Sequence, residues 1–104
     1  MKHYFHSKLF EIIYRMAIHE GNANQRLASE APKILFQLAP NKRIVPDQYK
    51  DNFTKLITLV ENTLKDSEGR IPIKIKGIQN RTAAKYIKLL IDIEESIRSY
   101  CNNE

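Results

Sequence analysis

The sequence predicts an all-α protein, a single-domain bundle of about four helices spanning residues 1–104. Three observations carry that expectation. Apolar residues recur at helical spacing in four segments, and glycine or proline stands close to most of the boundaries. Only the stretch "IPIKIKGI", residues 71–78, alternates with period 2. With 104 residues, 42 % hydrophobic and 28 % charged, the chain can fill one core and does not have the composition of a disordered segment.

The first helix is expected from about Tyr4 to Glu20, ending at Gly21, a residue suited to the left-handed cap position. The second runs from Ala23 to about Leu38, before Pro40. Pro32 removes a backbone hydrogen bond inside it, so a kink or break is expected near Ser29–Ala31. The third opens at Pro46, where a missing N–H costs nothing, and continues to about Lys65. Asp66, Ser67, Glu68 and Gly69 form a turn. The fourth begins at Asn80, a good N-cap residue, and reaches about Tyr100. Between them, residues 70–78 are expected to form an extended connector whose isoleucines cover the bundle. The alternative is an edge strand that pairs with its twin in a dimer or with a partner chain; within one chain a lone strand would have nothing to pair with, and Pro72 could not donate to a ladder.

Helical projection separates two kinds of helix. In the third, Tyr49, Phe53, Leu56, Ile57, Val60 and Leu64 fall within about 100° of arc, and Leu59 strays from it. The first and fourth are apolar much further round. Phe5, Leu9, Ile12, Ile13 and Met16 form one stripe of the first, which Phe10, Tyr14, Ala17 and Ile18 extend to its other side. In the fourth, apolar residues from Ala83 to Ile97 cover roughly 200°. Such helices are either the central pair or meet a second chain. Phe36 projects opposite the Leu27, Ile34, Leu35 and Leu38 stripe, so it either tucks under the 41–45 loop or forms a contact surface. Phe10, Tyr14, Phe36, Leu89 and Ile93 are therefore the candidate partner-binding residues. Glu94 lies within the apolar arc and is expected to emerge near the helix end, the alternative being a paired buried carboxylate.

Net charge is +5, which suits anionic partners without requiring them. Arg70, Lys74, Lys76, Arg81, Lys85 and Lys88 fall in a stretch, 69–90, that has no Asp or Glu. Lys74, Lys76, Arg81, Lys85 and Lys88 are the candidate anion or nucleic-acid residues, although Lys88 also sits four residues before Asp92, an ordinary helical ion pair. Asn24, Gln25 and Arg26 could read base edges from a helix start, and Asn22 or Asn24 could equally be a cap.

Catalysis has no convergent set of residues to stand on. His3 and His6 have a spacing that could ligate a metal, but a third ligand, His19 or Glu11, completes no recognised pattern. Cys101 lacks the context of a nucleophile and has no second cysteine to pair with, as suits a reducing cytoplasm. No apolar run long enough for a membrane span and no signal-peptide pattern is present. No cofactor, metal or catalytic residue is assigned, and no membrane partner is expected.

The order "GNANQRLASEAPKILFQL", "VPDQYKDNFTKLITLV", "DSEGRI" and "IQNRTAAKYIKLLIDIEESI" resembles a family of short, uncharacterised bacterial helical proteins. The resemblance implies a cytoplasmic helical protein and carries no active-site residue across. Pro32 departs from the uninterrupted second helix that it would imply. The function expected is a non-enzymatic helical module acting through contact with a protein partner or with a second copy of itself; the alternative is a nucleic-acid-binding or regulatory protein using the basic 70–88 segment.

Overall fold

The computed structural model describes residues 2–102, with side chains for residues 3–99. Helix α1 covers Lys2–Ile18, α2 Ala23–Ser29, α3 Ala31–Lys33, α4 Asp47–Asp66 and α5 Asn80–Asn102. Between α3 and α4 the chain winds through a wide π turn, Ile34–Leu38, and a tight 3-10 turn, Ala39–Ile44. Among the described residues there is no β-strand.

One core joins all of these elements. α1 contributes Phe5, Leu9, Ile12 and Met16, α2 Leu27 and Ala28, and α4 Phe53, Leu56 and Val60. α5 contributes Ala83, Leu89, Leu90, Ile93 and Ile97. α5 packs against α1, α2 and α4, which is why its apolar arc is wide: it is covered from three directions. The radius of gyration, 13.0 Å, agrees with the ~13 Å of a compact 100-residue domain. The stripe foreseen on α4 is inward, and Leu59 packs at the margin of the core as well.

The second helix breaks where Pro32 requires it. Glu30 leaves helical geometry (φ −102°, ψ 5°), and Pro32 enters α3 within its first turn, where no N–H is needed. Beyond it the helix does not continue as plain α to Leu38. Pro40 cannot donate to the carbonyl of Phe36, and the ladder widens just before it, with Ala39 N–H bonded to Ile34 O. Glu30 itself is buried, and its carboxylate accepts a 2.8 Å bond from Arg15 Nε on α1, tying the break to the first helix.

Three boundary expectations change. Gly21 is not left-handed; the positive φ values belong to Glu68, Gly69 and Gly77. Space explains Gly21 instead: an added Cβ would come within 2.7 Å of Gln25 Oε1 and 2.8 Å of His19 Cε1. Asn80 begins α5, but its side chain caps α2, accepting the Asn24 N–H at 3.0 Å. The connector covers the bundle with Ile75, which is buried, and not with Ile71 and Ile73, which are exposed.

That connector is held by side chains in place of a ladder. Asn24 Oδ1 accepts Ile75 N–H, while Nδ2 donates to Ile75 O at 3.2 Å and Ile78 O at 3.1 Å. Lys76 N–H donates to Thr63 Oγ1 at 3.1 Å, and that hydroxyl donates to Leu59 O. Removing the buried amide would orphan three backbone groups. Asn24→Ala is expected to lower the unfolding free energy by about 3 kcal/mol, and Asn80→Ala, which removes one cap, by about 1 kcal/mol. Urea unfolding of the two variants measures both, and equal losses would refute this ranking.

Candidate interaction surfaces

The residues that looked most like readers of another molecule are occupied within the chain. Asn22 is the N-cap of α2, accepting Gln25 N–H at 2.9 Å, and Gln25 Oε1 returns the bond to Asn22 N–H. This reciprocal pair satisfies two donors that the helix leaves open. Arg26 Nε donates to Gly21 O at 2.7 Å. Asn24 is buried with its amide committed to the connector, so that side chain has no free polar edge for base recognition.

The basic candidates divide. Lys76 pairs with Asp66 at 2.8 Å, and Lys88 with Asp92 at 2.9 Å. The hydrogen bond from Asp92, together with its charge, holds the Lys88 ammonium above the ordinary lysine range. Lys74, Arg81 and Lys85 are exposed and have no carboxylate partner among the described residues. The structure therefore leaves three of the five cations unneutralised, on two elements.

Of the apolar candidates, Leu89 and Ile93 are not outward. They are 8 % and 0 % exposed and belong to the core, because α1, α2 and α4 together cover the side of α5 that projection left open. Phe10, Tyr14 and Phe36 are outward, at 52 %, 58 % and 73 % exposed. Phe36 does not tuck beneath the 41–45 loop. Ile18, at 64 %, joins them, a residue noted for its place on the apolar arc but not singled out. Phe10, Tyr14 and Ile18 stand four residues apart, spanning about 80° on the side of α1 opposite Phe5, Leu9, Ile12 and Met16. Tyr4 flanks this ridge, with Lys8 Nζ 5.7 Å from its ring centroid and paired to Glu11 at 3.7 Å.

Glu94 does not emerge near the helix end. Its side chain is 7 % exposed, with His6 Nε2 3.1 Å and Arg98 Nε 3.7 Å from Oε1. A histidine beside a carboxylate is the arrangement general-base chemistry uses, but it needs a substrate cleft as well. The cleft of about 430 Å³ beside Arg43, Asp47, Lys50 and Ser96 contains neither residue. The groove of about 370 Å³ along Thr63–Lys76 contains neither as well. The pair joins α1 to α5. Among the described residues, no group of three His, Cys, Asp or Glu side chains could hold a metal. The Cys101 side chain lies outside the described ones.

Set against family models, curated proteins and solved structures, the chain matches none of them.

Burial separates the candidates in a measurable way. Ile93→Ala is expected to cost about 3 kcal/mol of stability, whereas Phe36→Ser stays within about 0.5 kcal/mol of the parent. His6→Ala, which strips Glu94 of its nearest partner, is expected to cost about 2 kcal/mol. Chemical denaturation reads all three, and a stable Ile93→Ala protein would return that residue to the surface set.

Proposed function

We propose that the chain is a non-enzymatic helical interaction module whose working surface is the outer ridge of α1, and that the ridge takes a second copy of the chain. The observation that carries this reading is that α1 bears large apolar side chains on both sides. One side is consumed by the core, and the other presents Phe10, Tyr14 and Ile18 to solvent. A helix needed only for the bundle would place polar residues there.

The spacing supports self-association. A ridge of residues four apart is the surface that interdigitates with a like ridge when two helices cross. About a twofold axis near Tyr14, Phe10 would meet the partner's Ile18, so one patch is complementary to itself. The area is of the right order. Tyr4, Phe10, Tyr14 and Ile18 are 49–64 % exposed, and at about 200 Å² for each such side chain they leave on the order of 400 Å² per copy. Two copies bury about 800 Å² before the polar rim is counted, approaching the roughly 1,200 Å² at the low end of specific interfaces.

Light scattering over a concentration series tests the proposal. The parent is expected to change from monomer to dimer as concentration rises, while Tyr14→Asp stays monomeric with unchanged circular dichroism. A parent that remains monomeric throughout would refute self-association, as would a Tyr14→Asp variant that dimerises equally well.

A further inference from the structure

A second apolar surface lies on the connector. Ile71 and Ile73, on either side of Pro72, are 68 % and 81 % exposed, and Arg70 and Lys74 flank them in the chain. This exposure is not slack in a loose loop. Upstream, Arg70 N–H is bonded to Ser67 O at 3.0 Å. Downstream, Asn24 and Thr63 hold the backbone of Ile75 and Lys76. The two isoleucines are displayed between fixed ends.

We propose that this connector is a peripheral contact for an anionic lipid bilayer, with Ile71 and Ile73 entering the headgroup–acyl boundary while Arg70 and Lys74 meet the lipid phosphates and carboxylates. Two apolar side chains between two cations that pair with no carboxylate among the described residues match the layering of that boundary, apolar beneath and negative above. The nearest alternative is an acidic peptide lying along the Thr63–Lys76 groove. That groove carries charges of both signs, with Asp66 paired to Lys76 and Glu68 standing beside Arg70 and Lys74, so an acidic peptide along it would find no unbroken row of cations. The expectation of no membrane partner rests on the lack of a spanning segment, and among the described residues no helix is long and apolar enough to cross a membrane. A peripheral contact requires none.

Sedimentation of the full chain with vesicles is the test, using phosphatidylcholine alone and phosphatidylcholine with about one-third phosphatidylserine. The chain is expected to pellet with the anionic vesicles and to be released as salt rises. Binding should fall about tenfold in an Ile71→Ser/Ile73→Ser variant and similarly in Arg70→Glu/Lys74→Glu. These four side chains are exposed, so circular dichroism should not change. Tyr14→Asp should still bind, which keeps this result separate from the α1 reading. Failure to pellet with anionic vesicles overturns the proposal, and so does undiminished binding by the double isoleucine variant. Tighter binding to a polyglutamate peptide than to vesicles also overturns it and assigns the surface to an acidic protein segment.

Discussion

The amide of Asn24 is the constraint on which the rest of the structure depends. Thirteen residues separate α4 from α5 without a helix or strand to satisfy their backbone, and one buried side chain supplies both a donor and an acceptor to them. Asn24 is held in turn, since its own N–H is capped by Asn80 at the start of α5. The loop therefore carries Ile75 into the core and delivers α5 at a defined place against α2. Helix α5 then supplies the surface on which α1 and α4 pack. Only a residue with both donor and acceptor can close this circuit, which neither an ionised carboxylate nor an aliphatic could do.

The same economy governs the other polar groups. Glu30 marks the break in the second helix and is bonded by Arg15 of α1. Glu94 lies within an apolar arc because His6 and Arg98 reach it. The second helix, broken by Pro32 and altered again before Pro40, leaves carbonyls and amides that a regular helix would have paired. Asn41 Nδ2 serves one of those carbonyls, that of Gln37, at 3.2 Å. The surfaces left without an internal role are the apolar ridge of α1, Phe36 and the two isoleucines of the connector. Water gives no reason for these apolar groups to be displayed, so they are where a partner would be sought.

The positions of the helices were legible in the sequence because their causes are local. Period, proline and cap chemistry act within a turn or two, and they foretold the break near Pro32, the single stripe of α4 and the turn at Asp66–Gly69. The candidate surface was legible only in part. Phe10, Tyr14 and Phe36 lie on the minor side of their helices, and the structure leaves them exposed. Leu89 and Ile93 had equally outward angles, yet are buried, because projection shows the arc of a helix and not how many neighbours cover it. Gly21 was assigned to a φ it does not adopt; its need is for room beside His19 and Gln25. Asn80 was rightly seen as a cap, for the wrong helix.

By itself the sequence determined an all-α chain, the order and approximate extent of its helices, the proline break and the non-helical connector before the last helix. These follow from backbone sterics and short-range periodicity, which act whatever the chain later packs against. Only the tertiary structure decided that Asn24 and Thr63 secure the connector, that Glu94 is paired and buried, and that Ile75 is core while Ile71 and Ile73 are surface. Each of those outcomes depends on residues distant in the chain: Asn24 and Ile75 lie 51 residues apart, and His6 and Glu94 lie 88 apart. Which polar groups meet across such separations is set by how α5 docks, and no local pattern encodes that docking.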